Sequence, residues 1–213
     1  MALKLSRGEY WVLETAAEGQ WPIDYLFSDD VEIALNKTTH GLAEAELFEV
    51  LFSLHTQNKI FFYQYKKIIR KPHINFLSDY LKLKLPPTEK KKRIYYGLTE
   101  LGGKAWEEFA RPNWDSYISA LYEFPDQEDG FQLAEIICAN KLLLERYISS
   151  IEFHDMDIMK ETKINDILEP WDATYWKTLP VGYRTRFKCK DKLKERGKPP
   201  TSSFYKNLWY DWG

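Results

Sequence analysis

Four histidines (His40, His55, His73 and His154) and two cysteines (Cys138 and Cys189) are the side chains of this 213-residue sequence best suited to ligate a metal or to act as base and nucleophile. A zinc site draws such residues in close pairs, Cys-x-x-Cys or His-x-x-x-His, because one turn of chain must aim two donors at one ion. No such pair occurs here. The sequence also lacks the G-x-G-x-x-G and G-K-[ST] cradles that hold phosphate and the G-x-S-x-G elbow that exposes a nucleophilic serine. Carboxylates are plentiful: Glu123, Asp126, Glu128 and Asp129 precede the segment 131–152, and Glu152, Asp155, Asp157 and Glu161 follow it. Their spacings, D-x-E-D and E-x-x-D-x-D, lack the glycine and terminal glutamate of a calcium loop. The expectation is therefore no metal, no cofactor, no small-molecule substrate and no enzymatic activity, which leaves charge as a means of recruiting a partner.

That charge is unevenly placed. Residues 1–60 carry four basic and ten acidic side chains, residues 61–93 ten and two, residues 94–170 six and sixteen, and residues 171–213 ten and four, although the whole chain sums to −2. Alternating blocks of this kind either fold onto one another or present separate faces to a charged partner. The candidate surface for a basic protein comprises Glu46, Glu49, Glu123, Asp126, Glu128, Asp129, Asp155 and Asp157. The alternative, a nucleic-acid contact, would use Lys66, Lys67, Arg70, Lys90, Lys91, Lys92, Arg93, Arg184 and Arg186. Eight Trp, fourteen Tyr and twelve Phe supply a core first and anchoring rings second. Two cysteines make no disulfide framework, and the opening MALKLSRGEYW has no apolar signal region, so a reducing cytoplasm is expected. No apolar run approaches the roughly 20 residues of a membrane span.

The elements that would position these charges follow from periodicity and caps. Ser6 with Glu9 three residues on has capping-box spacing, predicting a helix over 6–18 ended by Gly19. Trp21-Pro22-Ile23-Asp24 is expected to start a second short helix, residues 31–35 a third piece, and residues 36–41 a loop. Leu47, Val50, Leu51 and Leu54 stand at i, i+3, i+4 and i+7, predicting a helix over 42–57 that exposes Glu46 and Glu49 and stops at Asn58. Ile60 to Tyr65 and residues 93–98 are β-prone. Thr99 then offers an N-cap oxygen to a helix carrying Leu101, Ala105, Trp106 and Phe109.

The run RIYYGLTELGGKAW, residues 93–106, resembles the wing-to-helix junction of winged-helix proteins, and the element order over about the first 110 residues is similar to that family. The likeness implies an α+β fold with a winged-helix-like domain over 1–112, and DNA contact through the helix before the wing and through basic wing residues. Two features depart from the pattern. Residues 66–92 make the wing far too long, with Leu77, Tyr80, Leu81, Leu83 and Leu85 expected to pack beneath it, and the helix before the wing is acidic. Carboxylates repel phosphates, so that helix is poorly built for DNA.

Residues 113–213 are expected to form a mixed α/β region packed on the first: an apolar stripe of Trp114, Tyr117, Ile118 and Leu121, a long helix from Phe131 to Glu152, and a small antiparallel β region rich in aromatics. Tyr183, Thr185, Phe187 and Cys189 alternate with Arg184, Arg186, Lys188 and Lys190, a half-buried strand with one basic face expected to lie across the acidic stretch 94–170. The aromatic end FYKNLWYDWG is expected to dock on the body. These features together lead to a protein-binding module whose partner is a basic protein. Bacterial immunity proteins and antitoxins that neutralise nuclease toxins work this way as a group, by steering and aromatic anchors. The alternative expectation is a winged-helix transcriptional regulator.

Overall fold

The computed structural model describes residues 5–30, 32–33, 35–65, 67–69, 74–83, 90–123 and 130–192. It is a mixed α+β structure of two compact units, Met1–Arg111 with Thr174–Lys177, and Pro112–Ala173 with Thr178–Gly213.

Unit 1 opens with helix α1 (Arg7–Thr15). The Ser6 Oγ accepts the Glu9 N–H at 3.1 Å and the Glu9 carboxylate accepts the Ser6 N–H at 2.9 Å, so both reciprocal bonds of the expected capping box are present. The helix ends before Gly19, at an Ala16 C-cap, and Ala16 and Ala17 are buried. Trp21–Pro22 is strand β1 where a helix start was expected. Proline has no N–H for a central ladder, and β1 lies at the edge of its sheet. Helix α2 (Ile23–Leu26) follows. A four-residue helix, α3 (Lys37–His40), replaces the expected loop. Its signal is Asn36, whose Oδ1 accepts the N–H groups of Thr38 and Thr39, with Gly41 at φ +64° closing the turn. Of the piece expected over 31–35, Val31 and Ala34 lie outside the described residues.

Helix α4 (Glu44–Thr56) buries Leu47, Leu51 and Leu54 of the expected stripe, with Phe48 beside them, while Val50 is only half-buried. Strands β2 (Ile60–Gln64) and β3 (Lys67–Ile69), helix α5 (Ile74–Lys82), strand β4 (Ile94–Leu98) and helix α6 (Glu100–Ala110) complete the unit. The antiparallel sheet runs β1-β4-β2-β3, with Ile60 opposite Leu98 and Phe62 opposite Tyr96. Those four side chains enter the core with Val12, Leu13, Leu26 and Trp106. The long insertion between β2 and β4 thus holds a third hairpin strand and a helix. Leu77 and Tyr80 of α5 are buried, whereas Leu83, just past its end, is exposed; Leu85 lies outside the described residues.

Thr99 caps α6 as expected, its Oγ1 accepting the Gly102 N–H at 3.0 Å. Residues 174–177 complete unit 1. The Tyr175 hydroxyl donates to the Ala16 carbonyl at 2.6 Å and accepts the Leu98 N–H at 2.5 Å, and the Trp176 indole donates to the Ala17 carbonyl at 2.8 Å.

Unit 2 differs more from expectation. Its strands are β5 (Ile118–Glu123), β6 (Gln132–Cys138), β7 (Met156–Ile158), β8 (Ile164–Leu168), β9 (Trp171–Asp172), β10 (Thr178–Leu179) and β11 (Gly182–Asp191), with one helix, α7 (Lys141–His154), between β6 and β7. The expected helix over 131–152 is a strand and then a helix. Along β6, Gln132, Ala134, Ile136 and Cys138 are buried while Leu133 and Glu135 are not, which is period two. Asn140 then caps α7 through its side chain on the Leu143 N–H at 3.1 Å. The stripe expected over 114–121 resolves into a short 3-10 turn and strand β5, with Leu121 exposed.

Strand β11 is the spine of the five-stranded antiparallel sheet. It pairs with β6 along one side and with β8 and then β7 along the other. Ala134, Ile136, Cys138, Phe187 and Cys189 pack against Leu144, Tyr147, Ile148 and Ile151 of α7. Among the described residues no helix is long and apolar enough to cross a membrane.

Candidate functional site

The described members of the acidic set divide between the two units. The buried stripe of α4 faces the core of unit 1, so Glu44, Glu46 and Glu49 project outward and are exposed. Glu44 and Glu46 lie in the first turn, where carboxylates favour the positive end of the helix dipole. Glu46 and Glu49, three residues apart, share one face.

The remaining described acids belong to unit 2. Glu123 is exposed at the end of β5. Asp155 follows α7, half-buried, and its backbone N–H donates to the Ile151 carbonyl. Asp157 is exposed on β7, in register with Lys190. The two acidic stretches therefore do not bracket one helix, since residues 132–138 are a strand. Asp126, Glu128 and Asp129 lie outside the described residues.

The basic set has mixed fates. Arg93 is 6% exposed and pairs with Asp24 at 3.1 Å, its guanidinium lying 5.4 Å from the Tyr25 ring centroid. Arg184 grips Asp166 with two bonds of 2.7 and 2.8 Å and reaches Glu135 at 3.3 Å. Arg186 joins the same Asp166 at 3.1 Å. Hydrogen bonding to Arg184 holds the Asp166 carboxyl below the usual carboxylate range. The basic face of β11 does lie across acidic residues of the 94–170 stretch, as expected. Lys67, Lys91 and Lys92 are exposed near the β2–β3 hairpin. Lys90 begins a 3-10 turn, and Lys66 and Arg70 lie outside the described residues.

A groove of about 640 Å³ crosses the outer face of the unit 2 sheet. Its apolar lining includes Leu121, Leu133 and Ile164, which are 52%, 38% and 55% exposed. Glu123, Glu135 and Arg186 line it as well. The helix expected over residues 131–152 hides this groove, because only a strand over 132–138 aims Leu133 and Glu135 to the same side of a sheet.

Both cysteines and His40 are placed for structure, while His154 is exposed and His73 lies outside the described residues. Cys138 and Cys189 are buried, and burial raises both thiols, Cys189 to about 11. Six positions of one antiparallel strand separate their register partners, too far to join. His40 is buried, one ring nitrogen 2.8 Å from the Leu26 carbonyl and the other accepting the Leu42 N–H at 3.0 Å. Among the described residues no three His, Cys, Asp or Glu side chains gather as metal ligands would. Gly102 and Gly103, which a phosphate loop would also favour, are sites of close packing: an added Cβ would stand 1.8 Å from the Lys59 carbonyl oxygen and 2.0 Å from the Trp176 ring, respectively.

Comparison with protein-family models, with curated proteins and with solved structures finds no match for this chain.

Proposed function

We propose that this chain is a non-enzymatic protein-binding module that docks on a basic protein, in the manner of an immunity protein or antitoxin that neutralises a nuclease-type toxin. The observation that carries the reading is a contrast between charges. The arginines Arg93, Arg184 and Arg186 are paired with carboxylates inside their own units, while the α4 carboxylates Glu44, Glu46 and Glu49 stand exposed. Exposed carboxylates steer a cationic partner and repel a phosphate backbone.

Unit 1 is read as a winged-helix-type scaffold with an enlarged wing. The order α1, β1, α2, α3, α4, β2, β4, α6 supports this, as do the Thr99 cap and the paired glycines of Leu-Thr-Glu-Leu-Gly-Gly. On that scaffold α4 occupies the place of the DNA-contacting helix, and its acidic face turns the same framework toward protein. A reducing compartment such as the cytoplasm suits the two buried thiols.

The test is affinity capture from the native host in two halves, one treated with nuclease, using the wild-type chain and the Glu46→Lys, Glu49→Lys double variant. A basic protein held at stoichiometric level by the wild type after nuclease, and lost from the variant, supports the reading. Recovery of nucleic acid alone, or capture indifferent to the charge reversal, overturns it.

A further inference from the structure

The outer face of the unit 1 sheet carries a row of rings, packed at its Phe61 end beside Gln20 and Tyr175. Along β2, Ile60 and Phe62 enter the core, so Phe61 and Tyr63 point to the opposite face. The register sets Tyr63 between Ile68 of β3 and Tyr95 of β4. The Tyr63 and Tyr95 rings stack with centroids 5.2 Å apart and planes 23° apart, and the Phe61 ring lies 5.9 Å from Tyr63. At the hairpin, Tyr65 is 56% exposed at φ +42° and holds the Lys91 ammonium 5.2 Å from its ring centroid. Ile68 beside the row is 65% exposed. Lys67, Lys91 and Lys92 give the hairpin end an exposed positive charge.

A basic protein would be repelled by those lysines, so this face suits a different ligand from α4. The exposed Tyr65 ring and the partly exposed Tyr63 and Tyr95 rings offer π-faces, and ammonium groups beside them offer charge to an anion. A chain whose units each carry one flat aromatic group and one negative charge satisfies both together. Paired bases inside a duplex present no face to the rings.

We propose that the outer face of β2 and β4 binds single-stranded nucleic acid without sequence preference, with bases on Tyr63, Tyr65 and Tyr95 and phosphates at Lys91 and Lys92; Lys67, in register with Gln64, alternates onto the other face. The ligand is placed by stacking and counter-charge, with no base edge read.

Fluorescence anisotropy of labelled dT12 and rU12, against a 12-base-pair duplex, tests this with the full chain at 50 and 200 mM salt. Both single strands should bind at low salt and more tightly than the duplex. Two neutralised phosphates on a single strand weaken binding by about sevenfold between the two salt concentrations. Tyr63→Leu with Tyr95→Leu should cost about 5- to 150-fold for each ring that stacks a base, whereas Tyr63→Phe with Tyr95→Phe should keep the affinity. Tyr65→Leu, on an exposed ring, tests stacking should the first pair fail to fold. Lys91→Gln with Lys92→Gln should flatten the salt dependence. Absence of single-strand binding at 50 mM salt, equal affinity for the duplex, or unchanged affinity in a folded leucine variant overturns the proposal.

Discussion

Gly102→Ala puts a methyl group where unit 1 already holds a backbone carbonyl. The added Cβ would stand 1.8 Å from the Lys59 oxygen and 2.7 Å from its carbonyl carbon. That carbonyl also accepts the Thr99 N–H at 3.0 Å, and Lys59 leads directly into β2, so it cannot retreat without disturbing both the α6 cap and the β2–β4 register. In an open helix the same substitution would stabilise by about 1 kcal/mol. Overpacking costs about 1–3 kcal/mol, and a backbone obstacle belongs at the upper end, leaving a net loss of about 2 kcal/mol. For a unit of about this size that lowers Tm by roughly 8–16 °C. Circular dichroism melts of Gly102→Ala and Gly103→Ala against wild type measure it. Gly103→Ala should lose less, since its obstacle is the Trp176 side chain, which can move at the expense of its bond to Ala17. A Gly102→Ala protein as stable as wild type would refute the reasoning, because α6 would then not be seated on the Lys59 carbonyl.

Arg93→Met removes a buried charge from the partly exposed Asp24 and should destabilise unit 1 by about 1.5–3 kcal/mol, read as a fall in denaturation midpoint; a neutral effect would show that the pair is dispensable. Asp166 contributes to the pH dependence of unit 2. Because its folded-state pKa is depressed, its stabilising contribution is present above the ordinary aspartate value of about 3.9 and is lost as pH falls through the folded value. Stability of wild type and Asp166→Asn measured from pH 7 to pH 2 should therefore converge at acid pH, the variant showing the smaller loss; parallel curves would refute the assignment. The two thiols, buried and raised, should react with a thiol reagent at pH 7.5 only after denaturation, and rapid labelling of the native chain would contradict their core placement.

Features encoded within a few residues were legible in the sequence. Ser6 with Glu9, Thr99 before Gly102, and the stripe of Leu47, Leu51 and Leu54 each act over one or two helical turns, and each is found where the spacing put it. The alternation over 183–190 is equally local, and β11 follows it. Asn36 and Gly41 carried a readable signal for α3, a cap and a left-handed stop around a helix only four residues long. Segment 131–138 was ambiguous in principle: Leu133, Ile136 and Ile137 satisfy i, i+3, i+4 as a helix, and Ala134, Ile136 and Cys138 satisfy i, i+2, i+4 as a strand. Strands β5 and β11 on either side of it settle the matter, because a backbone flanked by two ladders completes its hydrogen bonds between strands.

The same division runs through the candidate site. The sequence by itself determined that charge comes in opposed blocks, that the α4 stripe leaves Glu46 and Glu49 outward, and that metal-ligand spacings are missing. Only the tertiary structure decided which charges meet solvent. Lys91 and Arg93 are two positions apart, yet one lies exposed over Tyr65 and the other is buried against Asp24. Asp24 and Arg93 belong to distant parts of the chain, as do Asp166 and Arg184. The free energy of an ion pair depends on separation and burial in space, and neither is a property of the intervening sequence.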